Sequence, residues 1–108
     1  MTRKQLSKVC AKAADEIEVR GLLKGDFGTN DGPKCVIGAC RFAANGTVNV
    51  RLETNDDLNL NTLFDETRPR SSRDGVASFN DAPRTRKHDV VELLRDMAYV
   101  ASFKAKQA

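Results

Sequence analysis

One small, mostly α-helical domain spanning residues 1–108 is the fold this sequence predicts, with a minor two-stranded β element left open. Three stretches carry the expectation. Residues 86–104 place Val90, Val91, Leu94, Met97, Ala98 and Ala101 at three- and four-residue steps, so they share one helix face. Leu6, Val9, Cys10, Ala13, Ala14 and Ile17 repeat that pattern near the start. Residues 33–44 are apolar almost all round, the mark of a helix buried among other elements. A chain of 108 residues suits one modest core shared by these faces.

Taken in order, Thr2 and Gln5 have capping-box spacing, and Gly21 is a natural stop for the helix that follows them. Glu16 and Arg20, four apart, support that helix slightly. Lys24 to Gly32 is a loop crowded with Gly, Asn and Asp. It holds Gly25-x-x-Gly28, but no strand precedes it and no Gly-Lys-Ser/Thr closes it, so a phosphate loop is set aside. Pro33 suits the first turn of the second helix, and Asn45-Gly46 would close it. Gly38 inside that helix costs about 1 kcal/mol relative to Ala, which a close approach of another helix or a loop backbone would offset.

Thr47 to Glu53 alternates between apolar and polar residues as a strand does. It either pairs with Val76 to Phe79 as a small ribbon or neither forms. Asn55 to Glu66 reads as a short acidic helix with Leu58, Leu60, Leu63 and Phe64 as its apolar contacts. Residues 68–75 are basic, contain Pro69 and are expected to be a mobile loop. Asn80 and Asp81 bond local backbone groups in turns, and Pro83 marks a boundary before the last helix, with Thr85 as its expected N-cap. Residues 105–108 are expected to fray.

The net charge of +3 conceals segregation. Residues 53–66 hold five acidic and no basic groups, whereas residues 68–88 hold six basic and two acidic ones. Such asymmetry can steer an encounter with a charged partner. No run of about eighteen apolar residues and no signal-peptide pattern is present, so a soluble, cytoplasmic protein without membrane contact is expected. Cys10, Cys35 and Cys40 are odd in number and lie among apolar neighbours, which argues against a disulfide framework.

Chemistry-bearing patterns are sparse. One His and no Cys-x-x-Cys pair leave no zinc set, so neither metal nor cofactor is expected. A Cys–His hydrolase would use Cys35 near a helix N-terminus, His88 as base and Asn80 or Asp81 as the orienting group. Against it, Cys35 reads better as a small buried hydrophobe and His88 as a surface residue in a basic run, and no family signature surrounds Cys35. Nucleic-acid binding would rest on Arg68, Arg70, Arg73, Arg84, Arg86 and Lys87 neutralising phosphates. Aromatic residues are few, and no helix-turn-helix or zinc-finger pattern supports it.

Two motifs carry a resemblance. Cys35-x-x-Gly38-Ala39 on a helix, then Phe79-Asn80-Asp81-x-Pro83 before an amphipathic last helix, resembles an uncharacterised family of small actinobacterial and actinophage proteins. In that family the motifs read Cys-x-x-Gly-Ala and Trp-Asn-Asp-x-Pro, followed by a Gly-Arg-Thr-like stretch and a Val-x-x-Leu-Leu helix. Here Phe79 replaces the Trp, the Gly after the Pro is missing and Thr85 comes one residue early, while Val90 keeps its distance from Asn80. The likeness covers both ends and hardly touches residues 47–75. It implies a shared architecture in which the aromatic and the Asn-Asp turn lock the last helix against the Cys-bearing one.

The functional expectation is a small non-enzymatic interaction protein, phage-encoded by that resemblance, which docks on another protein such as a bacterial host protein. Its partner-binding residues would be Arg68, Arg70, Arg73, Arg84, Arg86 and Lys87. Nucleic-acid binding through the same region is the rival, and the apolar residues of 58–64 offer a route to a homo-oligomer.

Overall fold

A computed structural model describes residues 1–52, 56–68 and 75–107. Five helices follow in order: α1 Arg3–Arg20, α2 Val36–Asn45, α3 Asp56–Thr67, α4 Val76–Asp81 and α5 Lys87–Gln107. The two longest form the central layer and run antiparallel. Ser7 near the start of α1 donates to the Ala98 carbonyl, while Arg95 and Lys87 reach back to Glu18 near its end. α2 packs on α1, α3 packs on α5, and α4 bridges α2 and α3.

The predicted stripes form the core. Leu6, Val9, Cys10, Ala13, Ala14 and Ile17 of α1 are buried against Val90, Leu93, Leu94, Met97, Ala98 and Ala101 of α5. Leu60, Leu63 and Phe64 close one side, and Val36, Ala39 and Cys40 the other. The Thr2 capping box is reciprocal: Gln5 N–H donates to Thr2 Oγ1 at 3.1 Å, and Thr2 N–H to Gln5 Oε1 at 2.8 Å. Glu16 and Arg20 pair as expected, at 3.1 Å.

Several boundaries differ from the sequence reading. α2 starts at Val36 with Cys35 as its N-cap, so Pro33 lies outside the helix. The chain stays extended there because Lys34 pairs by its backbone with Gly21 and Leu23, and Cys35 N–H donates to the Phe27 carbonyl. Val76 to Phe79 is not a strand but the start of α4. Asn61 of α3 accepts the Val76 N–H at 2.9 Å, which starts a helix where four residues alone had suggested extension. Residues 47–52 likewise form no strand among the described residues; Val48 and Leu52 are buried, but Val50 faces solvent. The N-cap of α5 is Arg86 rather than Thr85. The Arg86 carbonyl accepts the Val90 N–H, and its own N–H donates to Asp89 Oδ2 at 2.9 Å. α5 runs to Gln107, into the stretch expected to fray, and Ala108 lies outside the described residues, as does nearly all of the expected mobile loop, residues 69–74.

Candidate functional site

Residues 21–34 fold as a loop across the start of α2, and this crossing brings the sequence motifs together. A Cβ at Gly38 would lie 1.9 Å from the Phe27 carbonyl oxygen, so the loop backbone rests directly on the helix. That is the close approach the mid-helix glycine implied. Gly28, at φ +98°, sits equally tight: a Cβ there would be 2.2 Å from the Pro33 carbonyl.

Asn80, at the end of α4, is 1% exposed and ties three elements together. Its Oδ1 accepts the Val36 N–H at 2.9 Å, satisfying a first-turn donor of α2. Its Nδ2 donates to the Leu23 carbonyl at 3.0 Å and to Asp81 Oδ1 at 2.9 Å. Asp81 Oδ1 also accepts the Gly25 N–H at 3.0 Å, and Lys24 Nζ bonds the Ala82 carbonyl. Asn80 and Asp81 therefore end a helix rather than form a free turn. They hold α4 to the start of α2 and to the loop, while Phe79 packs on Phe64 of α3, ring centroids 5.6 Å apart. The lock implied by the resemblance thus closes on α2 and α3, with α5 reached through the turn at Pro83.

A cleft of about 250 Å³ opens beside this junction, lined by Phe27, Cys35, Ile37, Ala77, Asn80 and Asp81 among others. The Cys35 sulfur accepts the Gly38 N–H at 3.3 Å as the cap of α2. Burial pushes the thiol up from its ordinary value, outweighing the backbone N–H bonds from Gly38 and Ile37 that pull it down. Asp81 moves oppositely: the Asn80 amide, then the Gly25 N–H, hold its carboxyl below the usual range. Both shifts run against a thiolate nucleophile at Cys35 and against Asp81 as a general base. His88 does not line the cleft; its side chain is 82% exposed and its Nε2 lies 3.3 Å from Glu92. All three cysteines are buried and none is in a disulfide.

Two cations at this junction escaped the sequence reading. Lys34 is fully buried, with Nζ donating to Glu16 Oε1 at 2.7 Å and to the Asn30 and Gly32 carbonyls at 2.9 Å, and lying 4.4 Å from the Phe42 ring centre. Arg41, 7% exposed, stacks its guanidinium 4.1 Å from the Phe27 ring centre, and its buried Nε has no hydrogen-bond partner. Nothing in their local sequence separates either from a surface residue.

The described basic residues of 68–88 meet different partners. Arg68 pairs with Asp96 at 2.6 Å and shares a shallow pocket with Phe79, Thr85, Asp89 and Glu92. Lys87 Nζ donates to the Glu18 carbonyl at 3.2 Å. Arg84 and Arg86 are exposed, and Arg70 and Arg73 lie outside the described residues. Among the described residues no group of His, Cys, Asp and Glu is placed to hold a metal ion, and no helix is long and apolar enough to cross a membrane.

No curated protein and no solved structure matches the chain. A family model does, over residues 1–100, and by that match the chain belongs to the family of unknown function DUF6197.

Proposed function

We propose that this chain is a small non-enzymatic docking module that acts in the cytoplasm by binding another protein. The carrying observation is the solvent face of α5. His88, Glu92, Arg95, Tyr99 and Phe103 are all exposed, with Asp96 half-buried beside them, and their spacing puts them within about 100° of the helix circumference. Tyr99 is 72% and Phe103 50% exposed, one turn apart. Aromatic anchors among charges of both signs suit a protein interface. A nucleic-acid surface would gather one sign of charge along the phosphates, whereas here Arg68 is interleaved with Asp89, Glu92 and Asp96. Arg84 and Arg86, at the entry to the same helix, are exposed as well. The Cys35 and Asn80 motifs support an origin in an actinophage or its actinobacterial host, with a host protein as the partner.

The test is a pull-down from an actinobacterial lysate, with and without nuclease, on the parent chain and on variants of unchanged melting temperature. A nuclease-resistant protein partner, lost in Tyr99→Ala with Phe103→Ala and weakened in Arg84→Glu with Arg86→Glu, is the expected result. Binding to bare DNA or RNA that weakens steeply with salt, with no protein partner, would replace this reading by the nucleic-acid one.

A further inference from the structure

A second surface, remote in sequence from the α5 face, carries its own chemistry. Gln5, Lys8, Val9 and Lys12 of α1 face Ala43 and Ala44 of α2 across a groove of about 260 Å³. We infer that this groove docks an acidic segment of a partner protein: one apolar side chain seated on Val9, Ala43 and Ala44, flanked by carboxylates that meet Lys8 and Lys12.

The charge pattern of α1 is the first support. Its acidic residues are all engaged within the chain: Asp15 and Glu18 with Arg95, and Glu16 with Lys34 and Arg20. Its lysines Lys4, Lys8 and Lys12 are exposed and, among the described residues, make no ion pair or hydrogen bond. Lys8 and Lys12 do not even bond the last carbonyls of α2 beside them. The first turn of α1 holds no acidic residue, and Lys4 stands in it at the positive end of the helix dipole. Lys4, Lys8 and Lys12 follow at four-residue steps, a like-charge spacing that works against the helix and that a partner's carboxylates would relieve.

The shape of the groove is the second support. No acidic side chain lines it, and the full charges of Lys8 and Lys12 outweigh the partial negative charge of the α2 carbonyls at its edge. Val9, Ala43 and Ala44 give it an apolar strip between the lysines, which suits a peptide side chain better than a sugar-phosphate backbone. At about 260 Å³ it falls below the roughly 300–1,000 Å³ of a small-molecule pocket and far short of a trough for an acyl chain. One or two side chains fill it.

The test uses a short synthetic peptide carrying one Leu among Asp and Glu residues, titrated into the isotope-labelled chain and followed by backbone amide shifts. The Val9, Ala43 and Ala44 amides should move, and Lys8→Glu with Lys12→Glu should weaken binding about tenfold or more. Ala44 is exposed, so Ala44→Phe fills the groove with both lysines intact; it should abolish peptide binding, and it carries the test if the double variant is unfolded by circular dichroism. Arg84→Glu with Arg86→Glu should leave peptide binding unchanged, so either surface can fail without the other. Unmoved groove amides at millimolar peptide would overturn the proposal. So would equal binding of a peptide with Ser for Leu, or an oligonucleotide or anionic vesicle that binds these lysines as well to the Ala44→Phe chain as to the parent.

Discussion

Replacing Asn80 by Ala should be among the most damaging single changes in this fold. The variant leaves the Val36 N–H without its acceptor and the Leu23 carbonyl without the donor at 3.0 Å. Each buried group left unpaired costs about 1–3 kcal/mol, so the two together cost roughly 2–6 kcal/mol. The lost bond to Asp81 adds little, because Asp81 is exposed. Against a total stability of about 5–15 kcal/mol for a domain of this kind, that is a large fraction. Urea unfolding at neutral pH reads it directly, and the Val36 amide should lose protection from hydrogen exchange.

Asn80→Asp sharpens the test. It keeps an oxygen for the Val36 N–H but sets a second carboxylate where the amide stood 2.9 Å from Asp81 Oδ1. Burial and repulsion raise the new group's folded-state pKa, so its destabilisation is present at neutral pH and relieved on acidification. A loss under about 0.5 kcal/mol for Asn80→Ala, the scale of an ordinary surface change, would show that the amide does not bear on the fold as argued. So would an Asn80→Asp deficit that grows as pH falls.

Other sites make separable predictions. Gly38→Ala gains up to about 1 kcal/mol of helix propensity, yet the Phe27 carbonyl must move, so a net loss of about 1–3 kcal/mol in urea is expected and a gain would refute the contact. Lys34→Met keeps the apolar stem but strands Glu16 and two carbonyls; about 2–4 kcal/mol should be lost, less than for a fully buried pair because Glu16 keeps Arg20. An alkylating reagent at neutral pH should modify Cys35 slowly and with a steep rise at alkaline pH, and Cys10 and Cys40 only on unfolding; rapid labelling of Cys35, slowed by His88→Ala, would instead indicate an activated thiolate. Asp81, whose folded pKa is depressed, contributes stability above its unfolded value of about 3.9 that is lost as pH falls through the folded one. Asp81→Asn should therefore flatten the acid limb of stability against pH, and an unchanged limb would remove Asp81 as its source.

Elements that depend on their own periodicity were legible in the sequence. α1 and α5 have long stripes that need only a partner face, and Thr2 with Gln5 is a contact three residues apart. The errors fall where the deciding contact comes from elsewhere in the chain. Val76 to Phe79 is too short for a period to show, and Asn61 on another helix starts it. Pro33 is favoured at a first helical position, yet backbone pairing of Lys34 with Gly21 and Leu23 keeps the chain extended until Cys35. The motif residues Cys35, Gly38, Asn80 and Asp81 stood out by their residue types and were linked by the resemblance, but their meeting at one junction follows from the loop that crosses α2. The burial of Lys34 is decided by Glu16, eighteen residues earlier. No local pattern carries that information.

The remote contacts share a form with a consequence for docking. Asn61 of α3 caps α4, Asn80 of α4 caps α2, and Asn30 of the loop accepts the Val48 N–H at 2.8 Å just beyond α2. A six-residue and a ten-residue helix are too short to persist alone, so each exists because a side chain on its neighbour supplies its first donor with an acceptor. Loss of one such contact should loosen the helix it starts. The α2 wall of the α1–α2 groove is then set before any partner arrives, and binding there would order few new residues. Pre-formed surfaces of this kind lower the entropic cost of association, which suits a chain with little apolar area to offer a partner. Loosening the relay at Asn80 should therefore weaken peptide binding at the groove even though Asn80 does not line it.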